Sequence, residues 1–284
     1  MEEVYDYEES INKSTISYNN FKLANSYNIK ELDVINDLKD RKNFSITITA
    51  KRNTGKSVLT KDLCYQMKNW FDKVYVMSLT ADVQPDLFNF IPEDNVIHSF
   101  DEGFLENLWN EQKNTVLRAR KAKTPEDKIP RVLLIMDDLI GDPKVRNSSI
   151  LKSMFVASRH CKISLIFLTQ SFTAIPPIMR VNVDLAICFY LDSEDNRHSF
   201  AKQYLSVRNT RVGVMLLDRL TKVPYQALCC LNYITSPNPE DTVRVYTASM
   251  KIPKFKMGSS GVSFKPSITA FANVISFLPP IKDE

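Results

Sequence analysis

The chain has 284 residues, which is enough for one large α/β domain or two small ones. Hydrophobic residues make up 44% and charged residues 25%, as in an ordinary globular protein, and a net charge of +4 does not by itself indicate a nucleic-acid binder. No apolar run reaches the roughly 18 residues of a membrane helix, and the acidic start lacks the apolar segment of a secretory signal. We therefore expect a protein that is not secreted and stays in the cytosol or nucleus, or in a particle assembled there.

Residues 1–42 are predicted to form a polar N-terminal arm in which Ile29 to Leu38 make a short helix, and residues 43–241 one domain of alternating strands and helices. The predicted strands are Phe44–Thr49, Lys73–Ser78, Arg131–Met136, Ile163–Leu168, Val183–Tyr190 and Tyr225–Tyr233. The predicted helices are Gly55–Phe71, Glu102 to about Lys121, Ser149 to about His160 and Glu194–Leu205. This alternation implies an α/β fold whose sheet is mostly parallel, with right-handed crossovers and helices on both faces.

Two segments are strongly basic. Residues 242–284 are predicted to form a C-terminal arm, because Thr242 to Lys282 contain Lys and Arg but no Asp or Glu, and their Pro, Ser and Gly content indicates loose order. The run from Leu117 to Lys123 lies at a predicted helix end. The positive charge of each segment suits contact with nucleic acid. The alternative is a solubilising tail for residues 242–284 and a solvated helix end for Leu117 to Lys123.

A phosphate-binding loop is predicted between the first strand and the following helix. Ala50 to Ser57 read Ala-Lys-Arg-Asn-Thr-Gly-Lys-Ser, and a helix N-terminus offers free N–H groups and partial positive charge to a phosphate. Lys56 is expected to reach the β- and γ-phosphates and Ser57 to hold Mg²⁺. The predicted nucleotide-binding residues are Lys51, Arg52, Asn53, Thr54, Gly55, Lys56 and Ser57. Ala50 replaces the usual first glycine, so an ordinary strand-to-helix turn is the alternative.

Paired acids follow the third predicted strand, which reads Leu133-Leu-Ile-Met136 before Asp137 and Asp138. We expect Asp137 to hold Mg²⁺ through its water shell and Asp138 to orient and polarise an attacking water. A strand that simply ends in two solvated acids is the alternative. The next strand ends at Thr169-Gln170, so we expect Gln170 to touch both the γ-phosphate and that water, with a plain polar strand end as the alternative.

Two arginines are candidates for stabilising charge on a phosphoryl group bound by a neighbouring subunit. Arg159 lies at a predicted helix end, where it either caps that helix or projects to a neighbour. Arg180 follows the rigid segment Ile175-Pro-Pro-Ile-Met179. We favour Arg159 for the role across a subunit boundary.

Four segments together resemble the FtsK–HerA superfamily of DNA-pumping ATPases, and most closely the genome-packaging ATPases of poxviruses, other large DNA viruses and virophages. They are Ala50–Ser57, Leu134–Asp138, Ser158–Ser171 and Pro176–Asn182. The last two are the specific ones, since an Arg-His before a strand that ends Thr-Gln-Ser, followed by Pro-Pro and Arg-x-Asn, is a narrow pattern. The resemblance covers about residues 43 to 235.

The resemblance implies a RecA-like (ASCE) P-loop NTPase core that hydrolyses ATP with Mg²⁺, assembles as a pentameric or hexameric ring and translocates double-stranded DNA into a capsid. It matches Lys56 and Ser57 to the phosphate and Mg²⁺ residues, Asp137 to the metal-binding acid, Gln170 to the sensor, and Arg159 or Arg180 to the ring-contact arginines. Capsid protein is then a further partner, and the host cytoplasm or nucleus, or the virion, is the expected location. In such a core the strand ending at Gln170 lies between the loop strand and the acid strand.

Other functions fit the same motifs. The chain is alternatively a RecA-like helicase or secretion-type motor, or a non-enzymatic capsid or scaffold subunit that retains a nucleotide fold. A nucleotide kinase is less favoured, because Gln170 with paired acids suits water as acceptor.

Overall fold

The structure, a computed structural model, describes residues 17, 19–41, 43–205, 207 and 209–259. Within these residues, nine strands form one sheet in the order β1-β9-β8-β7-β2-β6-β5-β3-β4. The strands are β1 Lys30–Glu31, β2 Ser45–Thr49, β3 Lys73–Ser78, β4 Val96–Ile97, β5 Val132–Asp137, β6 Ile163–Thr169, β7 Leu185–Cys188, β8 Gln226–Leu231 and β9 Val243–Thr247. All described pairings are parallel except those of β8, which runs antiparallel to β7 and β9.

The central strands are apolar because both of their faces are covered. Every residue of β2, β5 and β6 is buried, as expected for parallel strands between two layers of helices. The sequence pattern therefore correctly predicted an α/β fold with a mostly parallel sheet, and β6 lies between β2 and β5 as expected.

Helices cover both faces of the sheet. They are α1 Val34–Leu38, α2 Lys56–Gln66, α3 Glu102–Lys121, α4 Pro143–Asn147, α5 Ser149–Ala157, α6 Pro177–Arg180, α7 Glu194–Tyr204, α8 Thr210–Thr221 and α9 Pro239–Thr242, and residues 19–26 are also helical. The buried side chains of α1 and α2 join the core on one face. Those of α3, α5, α7 and α8 join the core on the other face. No helix in the described part of the chain is long and apolar enough to cross a bilayer.

Several elements differ from the sequence expectations. The helix expected over Gly55–Phe71 ends at Gln66, where a turn closed by the bond from Trp70 N to Met67 O replaces the last helical turn. The helix expected over Ile29 to Leu38 begins only at Val34, after the N-cap Asp33, and the two-residue strand β1 occupies the start of the expected range. The amphipathic helix α8 and the short strands β1, β4 and β9 were not predicted.

The domain boundaries expected at residues 42 and 242 stay predictions, and the described parts of both predicted arms join the sheet. β9 pairs with β8 and β1 pairs with β9, so both predicted arms contribute strands to the central sheet. Arg244, expected in a loose basic arm, is only 14% exposed and forms an ion pair with Asp37 at 3.8 Å. Residues 1–16 and 260–284, where the rest of the two arms is predicted, lie outside the described residues.

After β9 the chain crosses the outer side of α2 and reaches the far edge of the sheet; we name residues 248–259 the C-terminal strap. At its start, Ser249 N donates to Asp62 of α2 at 2.9 Å, and the hydroxyl of Tyr246 on β9 donates to the same carboxylate at 2.6 Å. Further along, the Phe255 ring lies 5.3 Å from that of Tyr65 on α2. The strap ends with a bond from Ser259 N to Asp72 O, just before β3. The helix that follows the predicted phosphate loop is therefore enclosed between the sheet and the strap.

Candidate functional site

The predicted site residues lie at one edge of the sheet because three neighbouring parallel strands end there. Thr49 at the end of β2 is in register with Thr169 at the end of β6, and Asp137 at the end of β5 is in register with Leu168. The carboxyl ends of parallel strands are where open α/β sheets bind their ligands.

The loop between β2 and α2 makes its left-handed turns at Asn53 (φ 62°) and Gly55 (φ 103°). Asparagine tolerates this region and glycine has no side chain to oppose it. Ala50 is not among the described residues with positive φ; it is fully buried and donates its N–H to Thr169 O at 3.0 Å. Alanine in place of the motif's first glycine therefore introduces no backbone strain.

Lys56, the first residue of α2, contacts both acids. Its Nζ lies 2.6 Å from Asp138 Oδ1 and 3.2 Å from Asp137 Oδ1. Gln170 completes the cluster by donating from Nε2 to Asp138 Oδ2 at 3.0 Å. Asp138 takes a left-handed conformation (φ 52°), which turns the chain immediately after β5. One ammonium, two carboxylates and one amide thus meet beside the loop.

Asp137 is nearly inaccessible to solvent, and burial raises the pKa of its carboxyl above the ordinary value, against the opposing effect of the Lys56 charge. Ser78, at the end of β3, lies with its Oγ 3.5 Å from Asp137 Oδ2, a long hydrogen bond. Asp137 Oδ1 is buried, and its nearest described cation is Lys56 Nζ at 3.2 Å.

These residues fit a magnesium ion. Mg²⁺ takes oxygen ligands, and the carboxylate of Asp137 offers oxygen lone pairs, either directly or through water. Ser57 and Asp137 line one cavity, and the hydroxyl oxygen of Ser57 is the second oxygen ligand that the sequence predicts. The predicted pair for the metal, Ser57 and Asp137, is therefore compatible with the donor set.

A cavity of about 640 Å³ collects the predicted loop residues and the acids; we name it the phosphate cavity. Its described lining includes Lys51, Arg52, Asn53, Gly55, Lys56, Ser57, Asp137, Asp138 and Gln170. Thr54 is turned back, and its hydroxyl donates to Lys51 O at 2.7 Å. Lys51 itself forms an exposed ion pair with Asp192.

Neither Arg159 nor Arg180 is among the described residues that line the phosphate cavity. Arg159 lies in the single-turn helix Ser158–Cys161, which leads into the start of β6, whereas Gln170 follows the end of that strand. Seven residues of strand separate the two ends by about 20 Å. Arg180 packs its guanidinium 5.1 Å from the Phe172 ring centre. Neither arginine therefore belongs to the Lys56 cluster of its own chain.

The basic run at the end of α3 lies at the same end of the sheet as Arg159, because α3 leads into the start of β5. Arg118, Arg120, Lys121 and Lys123 are exposed there. Arg120 and Arg159 line one small cavity of about 240 Å³ with His160 and Lys162. This basic end faces away from the phosphate cavity.

Comparison with known proteins shows the family. Residues 34–236 match the family described as Poxvirus A32 protein. The chain belongs to the Poxvirus A32 protein family. This A32-family chain is 28% identical over 187 residues to protein 075L of Invertebrate iridescent virus 6, an alignment that covers 64% of this chain and 70% of that one. The expected resemblance to packaging ATPases of large DNA viruses is thereby confirmed at the level of the family.

Solved structures show the fold. The A32-family chain is similar to the genome packaging NTPase B204 of Sulfolobus turreted icosahedral virus 2, solved with ATPγS, with a TM-score of 0.51 at 16% identity, covering 73% of this chain and 98% of that one. It is also similar to the conjugation coupling protein TcpA of pCW3, solved as a monomer with ATPγS, with a TM-score of 0.54 at 18% identity, covering 74% of this chain and 61% of that one. The fold is therefore that of P-loop NTPases.

Two features of the A32-family site were missed by sequence reasoning. Ser78, at the end of the strand next to Asp137, lies with its hydroxyl oxygen 3.1 Å from that of Thr80, which lines the phosphate cavity. The polar end of the strand ending at Ser78 was a readable signal for them. Tyr225, directly before β8, lines the phosphate cavity, and no motif indicated it.

Proposed function

We propose that this chain is an ATP-hydrolysing motor that translocates double-stranded viral DNA into a preformed capsid. The observation that carries the proposal is the Lys56–Asp137–Asp138–Gln170 cluster beside a phosphate-type loop, at the carboxyl ends of β2, β5 and β6. Two comparisons support the proposal. The chain belongs to the Poxvirus A32 protein family. B204, which has a similar fold, is described as a genome packaging NTPase.

The loop and the first turn of α2 hold the triphosphate in this proposal. The free N–H groups of a helix N-terminus donate to phosphate oxygens, and the ammonium of Lys56 moves from Asp138 to the β- and γ-phosphates. Ser57 and Asp137 hold Mg²⁺, which when bound neutralises charge on the phosphate oxygens.

Asp138 and Gln170 act on the attacking water. Once Lys56 engages phosphate, Asp138 Oδ1 is available to accept a hydrogen bond from that water and polarise it. Gln170 keeps the other carboxylate oxygen in place from the neighbouring strand, and its amide lies between the acid strand and the loop strand.

Arginine from a neighbouring subunit completes the site in an assembled pentameric or hexameric ring. Two observations support a role across the boundary: Arg159 is exposed, and it lies far from the Lys56 cluster of its own chain. Arg180 is the second candidate, and its Nε is buried with no hydrogen-bond partner among the described residues. A monomer then hydrolyses ATP slowly, and the turnover rate per subunit rises with protein concentration as rings assemble.

The exposed basic end, formed by Arg118, Arg120, Lys121 and Lys123, supplies cations for the DNA backbone. Each phosphate that is neutralised adds to the salt dependence of binding. In this proposal the motor acts at the site of virus assembly, in the host cytoplasm or nucleus, or within the virion. Capsid protein is a further partner.

The test is the rate of ATP hydrolysis with and without double-stranded DNA, together with the mass of the protein in solution. A motor shows turnover that rises several-fold with DNA and with protein concentration, and Lys56→Ala abolishes it. Transfer of the γ-phosphoryl group of ATP to a small acceptor by a monomer, or a Lys56→Ala protein with full function, contradicts the proposal.

Rings assembled from two kinds of variant subunit test which arginine acts across the subunit boundary. Subunits carrying Arg159→Ala and subunits carrying Lys56→Ala are each inactive alone, and mixing them places an intact arginine opposite an intact loop at some interfaces. We expect partial recovery of turnover for Arg159. The same mixture made with Arg180→Ala serves as the comparison, and no recovery at any ratio removes the arginine concerned from this role.

A further inference from the structure

A second cavity, also about 640 Å³, lies on the other side of the phosphate loop from the acids; we name it the aromatic cavity. Asn53 and Tyr225 line both cavities, so the two are adjacent across the loop. Its walls come from the end of β7, through Phe189 and Tyr190, and from the turn before β8, through Val223 and Pro224.

Unusually exposed apolar side chains gather at this cavity. Tyr190 is 44% exposed, Val223 52% and Tyr225 57%, whereas most large apolar side chains of the described chain are buried. Exposed apolar groups clustered in a concave site, with a few polar groups among them, are typical of a small-molecule binding site.

The Tyr225 backbone is itself unusual. Its φ is 64°, a conformation that costs a bulky residue free energy and that persists where surrounding structure holds it, commonly at ligand sites. The ring is directed at the phosphate loop, since a Cβ added to Gly55 would lie 3.2 Å from Tyr225 Cδ1. The ring thus lies at the boundary between the two cavities.

The carboxylate of Asp218 lines the aromatic cavity, and this side chain is 44% exposed. Its Oδ1 is buried and faces Arg197 Nε at 3.7 Å, beyond hydrogen-bond distance. The exposed part of the carboxylate is therefore available to accept a hydrogen bond from a donor on a bound molecule.

We propose that the aromatic cavity binds the base of the nucleotide whose phosphates occupy the phosphate cavity, that Tyr225 stacks on a purine ring, and that Asp218 accepts a hydrogen bond from the 6-amino group of adenine. This inference rests on the proposed nucleotide-binding function. A flat aromatic wall suits any base, since every base has a π face, while the carboxylate favours a base with an amino group at its edge.

Calorimetric titration of the full chain with two probes tests the stacking. AMPPCP carries base and phosphates, whereas inorganic tripolyphosphate carries phosphates alone. We expect Tyr225→Ala to weaken AMPPCP binding about tenfold and to change tripolyphosphate binding by less than about twofold, while Tyr225→Phe binds both probes as the natural chain does. Alanine keeps the same strain at φ 64° as tyrosine, so the backbone change is minimal.

The outcomes separate the two proposals. If Tyr225→Ala leaves AMPPCP binding unchanged, the base binds elsewhere; if it weakens both probes equally, Tyr225 merely supports the loop. Either result overturns the base assignment and leaves the proposed function standing. If the natural chain binds neither probe, the proposed function fails, and the base assignment fails with it.

A second comparison tests Asp218. An AMPPCP analogue whose base is unsubstituted purine lacks only the 6-amino group. We expect the natural chain to prefer AMPPCP about fivefold, and Asp218→Ala to lose this preference. An unchanged preference in Asp218→Ala, or equal binding of the guanine analogue GMPPCP by the natural chain, overturns the assignment of the amino group to this carboxylate.

Discussion

Replacing Lys56 with methionine removes a positive charge from between two acids and keeps most of the side chain's length. The Lys56 side chain is 11% exposed, that of Asp137 5% and that of Asp138 26%. Lys56→Met therefore leaves two like charges close together, one of them buried. We expect the variant to be less stable in the absence of nucleotide, and its stability to depend strongly on pH.

The magnitude follows from the distances. At an effective dielectric constant of about 20, unit charges about 3 Å apart attract by about 5 kcal/mol, and desolvation of the buried groups offsets much of this. Breaking a buried ion pair from one side typically costs about 3–5 kcal/mol. Because Asp138 is partly exposed and water can solvate it, we expect Lys56→Met to lose about 2–3 kcal/mol near pH 8.

The pH dependence comes from Asp137. Burial raises the pKa of Asp137 in the folded chain above its ordinary value, and the Lys56 charge opposes that rise. A carboxyl with a raised pKa favours the folded state at low pH, and this contribution is lost as pH rises through the folded pKa. Removing Lys56 raises that pKa further, so the stability deficit of Lys56→Met should be small near pH 5 and should increase towards pH 8.

Urea unfolding at these two pH values, without nucleotide or Mg²⁺, measures the deficit. Lys61→Met, on the same helix, controls for the loss of one positive charge. Adding Asp137→Asn to Lys56→Met removes the buried charge, so we expect the double variant to recover to within about 1 kcal/mol of the natural chain. A deficit that is equal at both pH values, or a double variant less stable than Lys56→Met alone, refutes the reasoning.

Three further predictions concern turnover and packing. Asp138→Asn should retain nucleotide binding, measured by calorimetry, but lose hydrolysis; full activity would remove Asp138 from its proposed role. Gly258→Ala should cost about 2 kcal/mol in urea unfolding, because its φ is 74° and a Cβ would lie 2.8 Å from Val74 N, whereas Gly141→Ala, with nothing within 4 Å, should be neutral. Tyr246→Phe should cost about 1–3 kcal/mol, because it removes a 2.6 Å hydrogen bond to the buried acid of α2, and an unchanged melting temperature would contradict this.

The centre of the fold was readable from the sequence because its strands are continuous apolar runs and its loops carry motifs. Asp137, Asp138 and Gln170 follow such runs directly, so parallel pairing alone brings them to one edge. β1 and β9 were not readable, since β1 has two residues and β9 alternates apolar and polar residues before a stretch rich in turn formers. The apolar spacing of Val212, Leu216 and Leu220 in α8 was present and overlooked.

The aromatic cavity was unreadable for a different reason. Tyr225 reaches the phosphate loop only because β8 runs antiparallel to β7, which brings the start of β8 to the edge where the parallel strands end. Alternation of strands and helices predicts parallel neighbours and gives no signal for such a reversal.

The C-terminal strap also has a consequence for biosynthesis. The helix after the phosphate loop ends at Gln66, but the contacts on its outer side come from Tyr246, Ser249 and Phe255. A ribosome must therefore add nearly two hundred further residues before that helix is enclosed. A nascent chain halted before β9 leaves apolar surface of α2 uncovered and β8 without one partner strand. Intermediates of this kind are prone to aggregate or to bind chaperones.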